Sequence, residues 1–124
     1  MTVKNEGQRA GEFIVSEGNG AISREKGTLA SGQNVVDGQA VKLSGGKLVA
    51  ATGSHHTDGS SDEAIAGLVI GSHNVTADTP VAIVARMAEV KASAIKLSTA
   101  TGGGKTAADA AVKAALGAQF VIAR

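Results

Sequence analysis

The sequence predicts an α+β domain, mostly β, with one helix in its C-terminal half and a flexible N-terminal arm. Three observations predict it. From about residue 27 onward, apolar runs of strand length alternate with Gly-, Ser-, Asn- and Asp-rich turns. One alanine-rich stretch, residues 107–116, is strongly helix-favouring. The first 26 residues differ from both, with a single apolar cluster, Phe13-Ile14-Val15, between polar, glycine-containing flanks. The division that follows is an arm over residues 1–26 and one β-rich domain over 27–124.

The elements follow in order. Phe13, Ile14 and Val15, with Ser16, form a short strand that has no equal partner nearby in sequence. Such a segment is either an edge strand of the domain or an arm that orders by adding to another protein's sheet. Its terminal position leans toward the arm. Gln39–Leu43 and Lys47–Ala51 flank Ser44-Gly45-Gly46, a hairpin signal. Residues 52–63 are turn formers throughout and predict an exposed loop. Ala64–Ile70 and Pro80–Ala85 read as buried strands parted by the polar turn Gly71–Thr79, with Pro80 opening the second. Residues 88–97 fit a strand or a short helix equally well. Thr106, with Asp109 three residues on, resembles a capping box, Gly117 is placed as the helix stop, and Gln119–Ala123 reads as a closing strand.

Composition narrows the function. The chain has 124 residues, with 17 Gly, 23 Ala and 30 large apolar side chains, and its only aromatic rings are Phe13 and Phe120. This core is small, and burial against further copies of the chain would add to its stability. With no cysteine there is no disulfide framework, thiolate metal site or thiol nucleophile. Residues 1–11 are polar and mixed in charge, unlike a signal peptide, and no apolar run approaches the ~20 residues of a membrane span. A soluble protein of a reducing cytoplasm is the expectation. A net charge of +1 and two rings give no basis for binding nucleic acid directly. Charge is uneven, however: no Lys or Arg lies between Lys47 and Arg86, and six basic residues follow from Arg86 on. The acidic middle and basic end either attract each other or form separate solvated faces.

No motif carries a catalytic set. Gly104-Lys105-Thr106 matches the end of a phosphate-binding loop, but Thr99 stands where its first glycine belongs. Only 18 residues follow Thr106, too few for the strand and acidic residue that such a site requires, so a glycine loop feeding a helix cap is the simpler reading. His55, His56 and Asp58 sit in the turn-rich loop and His73 after a second polar turn, without metal-site spacing. Ser60, Ser61 and Asp62 have no nucleophile elbow around them. Asn74-Val75-Thr76 is a glycosylation sequon that occurs by chance in a chain without a secretion signal. The expectation is a protein that is not an enzyme and carries no cofactor and no metal.

Several stretches resemble the bacteriophage head decoration proteins of the lambda type. They are Gly11–Gly20 with Ile22–Glu25, Thr28-Leu29 with Gly32-Gln33, and Gly46–Ala50. The block from Asp58-Gly59-Ser60 to Ala64–Val69, followed by Asn74–Ala77, is similar as well. Val81–Arg86 with Ala88-Glu89-Val90 resembles that family's central strand, and Phe120–Arg124 its closing one. The likeness covers about residues 11–124 and rests on order and texture more than on one motif; the histidine loop and the Gly102–Gly104 run are local variations.

The resemblance implies a small β-rich domain, made in the host cytoplasm, that joins the virion as a homotrimer on the outer surface of the expanded head. There it would sit at local threefold positions and hold the shell against packaged DNA. Its partner would be the major capsid protein, met by an arm of roughly residues 7–26 in which Phe13, Ile14, Val15 and Ser16 pair with a capsid edge. Membrane and direct nucleic-acid contacts have no place in this role. A self-associating ligand- or glycan-binding β module is the alternative, weakened by the scarcity of rings on which sugars stack.

Overall fold

The computed structural model describes residues 10–18, 22–51, 65–99 and 105–124. Its centre is a closed five-stranded barrel in the order β2-β5-β4-β6-β8. These strands are β2 (Arg24–Leu29), β4 (Ala40–Ser44), β5 (Lys47–Ala50), β6 (Ile65–Val69) and β8 (Thr79–Val84). All neighbours are antiparallel except β2 and β5, which meet in parallel at Leu29 and Leu48 and close the ring. The Gly45-Gly46 turn has φ of 59° and 81°, the doubly positive geometry that lets a two-residue loop follow the twist of β4 and β5.

Alternation along the barrel strands divides the apolar side chains between two cores. Leu29, Val41, Leu48, Val69, Val81 and Ile83 belong to one cluster, joined by Val35. Ala40, Leu68 and Val84, each next to a member of the first cluster in sequence, belong to the other. Register explains the pairing: Val69 lies opposite Ile83, and Leu68 lies opposite both Ala40 and Val84. Gly67 is required where β6 runs closest to β8, because a Cβ there would collide with the Val84 carbonyl oxygen.

A second sheet covers the second core. It contains β1 (Ile14–Glu17), β9 (Ala88–Val90) and β10 (Val121–Ala123), ordered β1-β9-β10, with β1 antiparallel and β10 parallel to β9. The helix α1 (Lys105–Ala118) packs on β10 and β6 through Ala108, Val112 and Leu116, spaced four residues apart on one stripe. A small two-stranded sheet pairs β3 (Asn34–Val35) with β7 (His73–Asn74).

The mostly β class with one C-terminal helix is what the sequence predicts, and most strand expectations hold within a residue or two. Residues 88–97 contain both alternatives in turn, β9 and then a 3-10 turn at Ala92–Ala94. Pro80 is the second residue of β8, not the first. The helix ends depart from expectation. α1 already includes Thr106, so Thr106 is not its cap, and Asp109 Oδ1 accepts a 2.6 Å bond from Ser98 Oγ. Gly117 lies inside the helix, which runs to Ala118. The Phe120 N–H then returns to the Gly117 carbonyl at 3.0 Å, with Phe120 at φ 62°. A phenylalanine thus occupies the left-handed position after the helix, where glycine is the usual occupant.

Candidate functional site

The N-terminal apolar cluster is split between core and surface. Phe13 precedes β1, is fully buried, and packs with Val90, Val112, Leu116 and Val121 in the second core. Its ring lies over Gly38, and its carbonyl accepts the Lys91 N–H at 2.8 Å. Phe13 is therefore an anchor of the domain in this chain. The physical reason is scarcity: with two rings in the whole chain, the core takes one of them.

Ile14 is half-buried, whereas Val15 and Ser16 are exposed. Within this chain β1 does have a partner, since Ile14 lies opposite Val90 and Glu17 opposite Ala88, with a bulge between Ile14 and Ser16. That partner is over seventy residues away, beyond the reach of a local sequence reading. The division expected at residue 26 falls inside β2, whose Arg24 to Lys26 pair with Val84 to Ala82.

Two polar side chains, through three hydrogen bonds, fix β1 in place. Buried Asp37 accepts the Gly11 N–H, Ser23 Oγ accepts the Gly18 N–H at 2.7 Å, and Ser23 Oγ donates to the Met87 carbonyl at 2.8 Å. Glu17 takes a bidentate bond from Arg24, at 2.9 Å from Nε and 2.7 Å from Nη2. The hydrogen bonds from Arg24 hold the Glu17 carboxyl below its usual range; the charge attraction adds to this and partial burial opposes it. The segment is thus tied down on one side. Among the described residues, β1 has β9 on one side and no strand on the other.

Next to that edge the sheet carries an apolar groove of about 480 Å³, formed by Ser16, Glu17 and Gly18 with Met87, Ala88, Glu89, Phe120 and Ile122. Met87, Phe120 and Ile122 expose large apolar surface there, Phe120 to 70%. Sequence reading assigns Phe120 and Ile122 to a closing strand and overlooks the groove, because the outward turn of Met87 and Phe120 comes from positive φ without a glycine to announce it.

The candidate chemistry has little to work with. His73 is half-buried at the start of β7, its Nε2–H donating to the Ile70 carbonyl at 3.1 Å. Among the described residues no group of three His, Asp or Glu is placed to hold a metal ion, and no helix is long and apolar enough to cross a membrane. His55, His56, Asp58, Ser60, Ser61, Asp62 and Gly102–Gly104 lie outside the described residues. Charged side chains find local partners: Asp78 pairs with Lys47 at 2.6 Å, Arg86 with Glu25 at 2.8 Å and Arg124 with Glu89 at 3.1 Å.

The site is thus a small barrel backed by a three-stranded sheet, with a tied-down first strand and an apolar groove across that sheet. Comparison with known families says what kind of protein carries it. Residues 3–118 match the model of the bacteriophage lambda head decoration protein D family, and the chain belongs to that family. The family is structural, and membership implies a virion-associated protein that binds the phage capsid. Neither a curated protein nor a solved structure shows a significant match to the chain.

Proposed function

We propose that this protein decorates the outer surface of an expanded phage head as a homotrimer at threefold positions, stabilising the shell against the pressure of packaged DNA. The observation that carries this reading is the match of residues 3–118 to the head decoration family. The partner is the major capsid protein, met along the open edge of β1. Strand addition there supplies backbone hydrogen bonds, and the exposed Val15 and Ser16 select the partner's side chains. Phe13 and Ile14 contribute by holding β1 against the domain. Three subunits in one trimer raise the effective concentration of each contact, so a weak edge suffices. The role needs no catalysis, and a barrel with two packed cores suits a protein that bears load.

The test is co-sedimentation with expanded, undecorated phage shells, alongside sedimentation velocity of the free protein. Saturable binding at one trimer per threefold position supports the reading. Absence of binding to shells of every plausible host phage removes it. Deleting residues 1–26 is a poor control, because it takes Phe13 from the core and three residues from β2. Substitutions at Val15 address the edge without that damage.

A further inference from the structure

We propose that copies of this chain meet each other across the outer face of the β1-β9-β10 sheet, with Phe120 at the centre of the contact; this rests on the homotrimer of the decoration reading above. Among the described residues seven large apolar side chains are exposed. Val36 and Leu43 stand on other elements, and Val15 does not line the groove. The other four gather on this one face: Met87, Phe120 and Ile122 along the groove, and Ile22 against Gly18 at its end.

The backbone holds that face in shape. Met87 has φ 51° and Phe120 φ 62°, and they are the two non-glycine residues with positive φ among those described. Bulky side chains avoid this region of backbone space, and such strain is kept where a surface must hold a fixed form. The Met87 N–H donates to the Gln119 carbonyl at 3.3 Å and the Ala88 N–H to the Phe120 carbonyl at 3.1 Å, so each turn braces the other. Buried Ser23 adds a tie by donating from Oγ to the Met87 carbonyl at 2.8 Å. The exposed ring is thereby positioned before any partner arrives, as an interface anchor is.

Charge and area identify the occupant as further copies of the chain. Three ion pairs border the patch: Glu17–Arg24 at 2.7 Å, Glu25–Arg86 at 2.8 Å and Glu89–Arg124 at 3.1 Å. A rim of one sign repels its own copies, whereas here every carboxylate has a guanidinium beside it. The rim of one copy therefore offers both signs to the rim of the next. From their exposed fractions the four side chains present roughly 400 Å² of surface. Interfaces are only about 60% apolar, so this corresponds to ~700 Å² of contact per subunit, near the ~800 Å² a side of a stable interface. One inserted side chain from a different partner would leave most of that surface wet.

The experiment measures sedimentation velocity and thermal unfolding of the full chain over a hundredfold range of concentration, beside Phe120→Asn and Ile122→Ser, with shell co-sedimentation in parallel. Asparagine tolerates positive φ, so both variants fold, and at the lowest concentration their Tm stays within about 3 °C of the parent. The parent is expected to form trimers and to gain Tm with concentration. Each variant should need at least tenfold more protein to assemble. If the parent assembles and both variants assemble at the same concentration, the inference is overturned, and shell binding still decides the decoration reading. If the parent binds shells yet sediments as a monomer throughout, the inference is overturned. Variants of parental mass that lose shell binding would make the face a capsid contact and overturn it as well. If the parent binds no shell but the variants dissociate its trimer, the inference stands and the decoration reading falls.

Discussion

Asp37 Oδ1 accepts the Gly11 N–H at 2.9 Å and, with the same atom, the Gly71 N–H at 2.7 Å. Asp37 is buried, and its backbone N–H donates to Ser72 Oγ at 3.1 Å. One side chain therefore joins the entrance of β1 to the connection between β6 and β7. Removing it leaves two amides short of an acceptor. Asp37→Ala is expected to cost about 1–3 kcal/mol in urea unfolding. It should also open residues 10–18 to limited proteolysis before the barrel unfolds. Asp37→Asn keeps an oxygen acceptor and should lose less.

Gly67 carries a different constraint, one of space. Its Cα faces the Val84 carbonyl across β6 and β8, and backbone cannot swing aside as a side-chain end can. Gly67→Ala should destabilise the barrel by about 1–3 kcal/mol, the range of an overpacked core. Gly32, where an added Cβ meets nothing within 4 Å, tests the space argument because its φ of 82° adds strain without contact. A lowered denaturation midpoint in both variants, with strand pairing at Leu68 and Val84 disturbed by NMR only in the first, separates crowding from strain.

Phe13 and Val15 stand two residues apart and should behave oppositely. Phe13→Ala empties the one ring position in the core, and such truncations cost about 3–5 kcal/mol. Val15 is half-exposed, so Val15→Ser should move stability by less than about 0.5 kcal/mol. Calorimetry of both variants checks the contrast. Equal, small losses would mean that Phe13 does not pack as described.

What was legible in the sequence follows from how local the cause is. The β4–β5 hairpin was readable because Gly45 and Gly46 must supply its positive φ. β6 and β8 were readable because strands buried on both faces become unbroken apolar runs. The partner of β1 was not, since pairing with β9 depends on closure over a long loop that no local pattern encodes. The end of α1 misled for a related reason: Gly117 offers a cheap stop, yet the helix passes through it and turns at Phe120. The groove was invisible for the same cause, because its two walls are turns made by residues that do not ordinarily make them.

The Glu17–Arg24 pair predicts a pH dependence at β1. Arg24 lowers the Glu17 pKa in the folded state. A lowered folded pKa means the contribution is complete above the ordinary glutamate range of about 4.3. It is lost as pH falls through the folded value. Because Arg24 is about half exposed, the pair is worth no more than about 1 kcal/mol. Glu17→Gln should lower Tm at pH 7, and the difference from the parent should vanish near pH 2. A gap that persists at pH 2 would assign the effect to packing instead.

The open edge of β1 gives the last prediction. Lysine on an edge strand opposes addition of another strand, because the incoming chain must bury or displace its charge. Val15 is exposed beside the bulge, so Val15→Lys leaves the core untouched and keeps the β1–β9 register. The expected result is unchanged unfolding, with shell binding weakened at least tenfold. Val15→Thr keeps the branched shape and the strand preference, and should bind nearly as the parent does. Comparing the two in shell co-sedimentation separates charge at the edge from mere loss of the valine. If the lysine variant binds with parental affinity, the capsid contact does not run along β1, and another face of the domain must hold the shell.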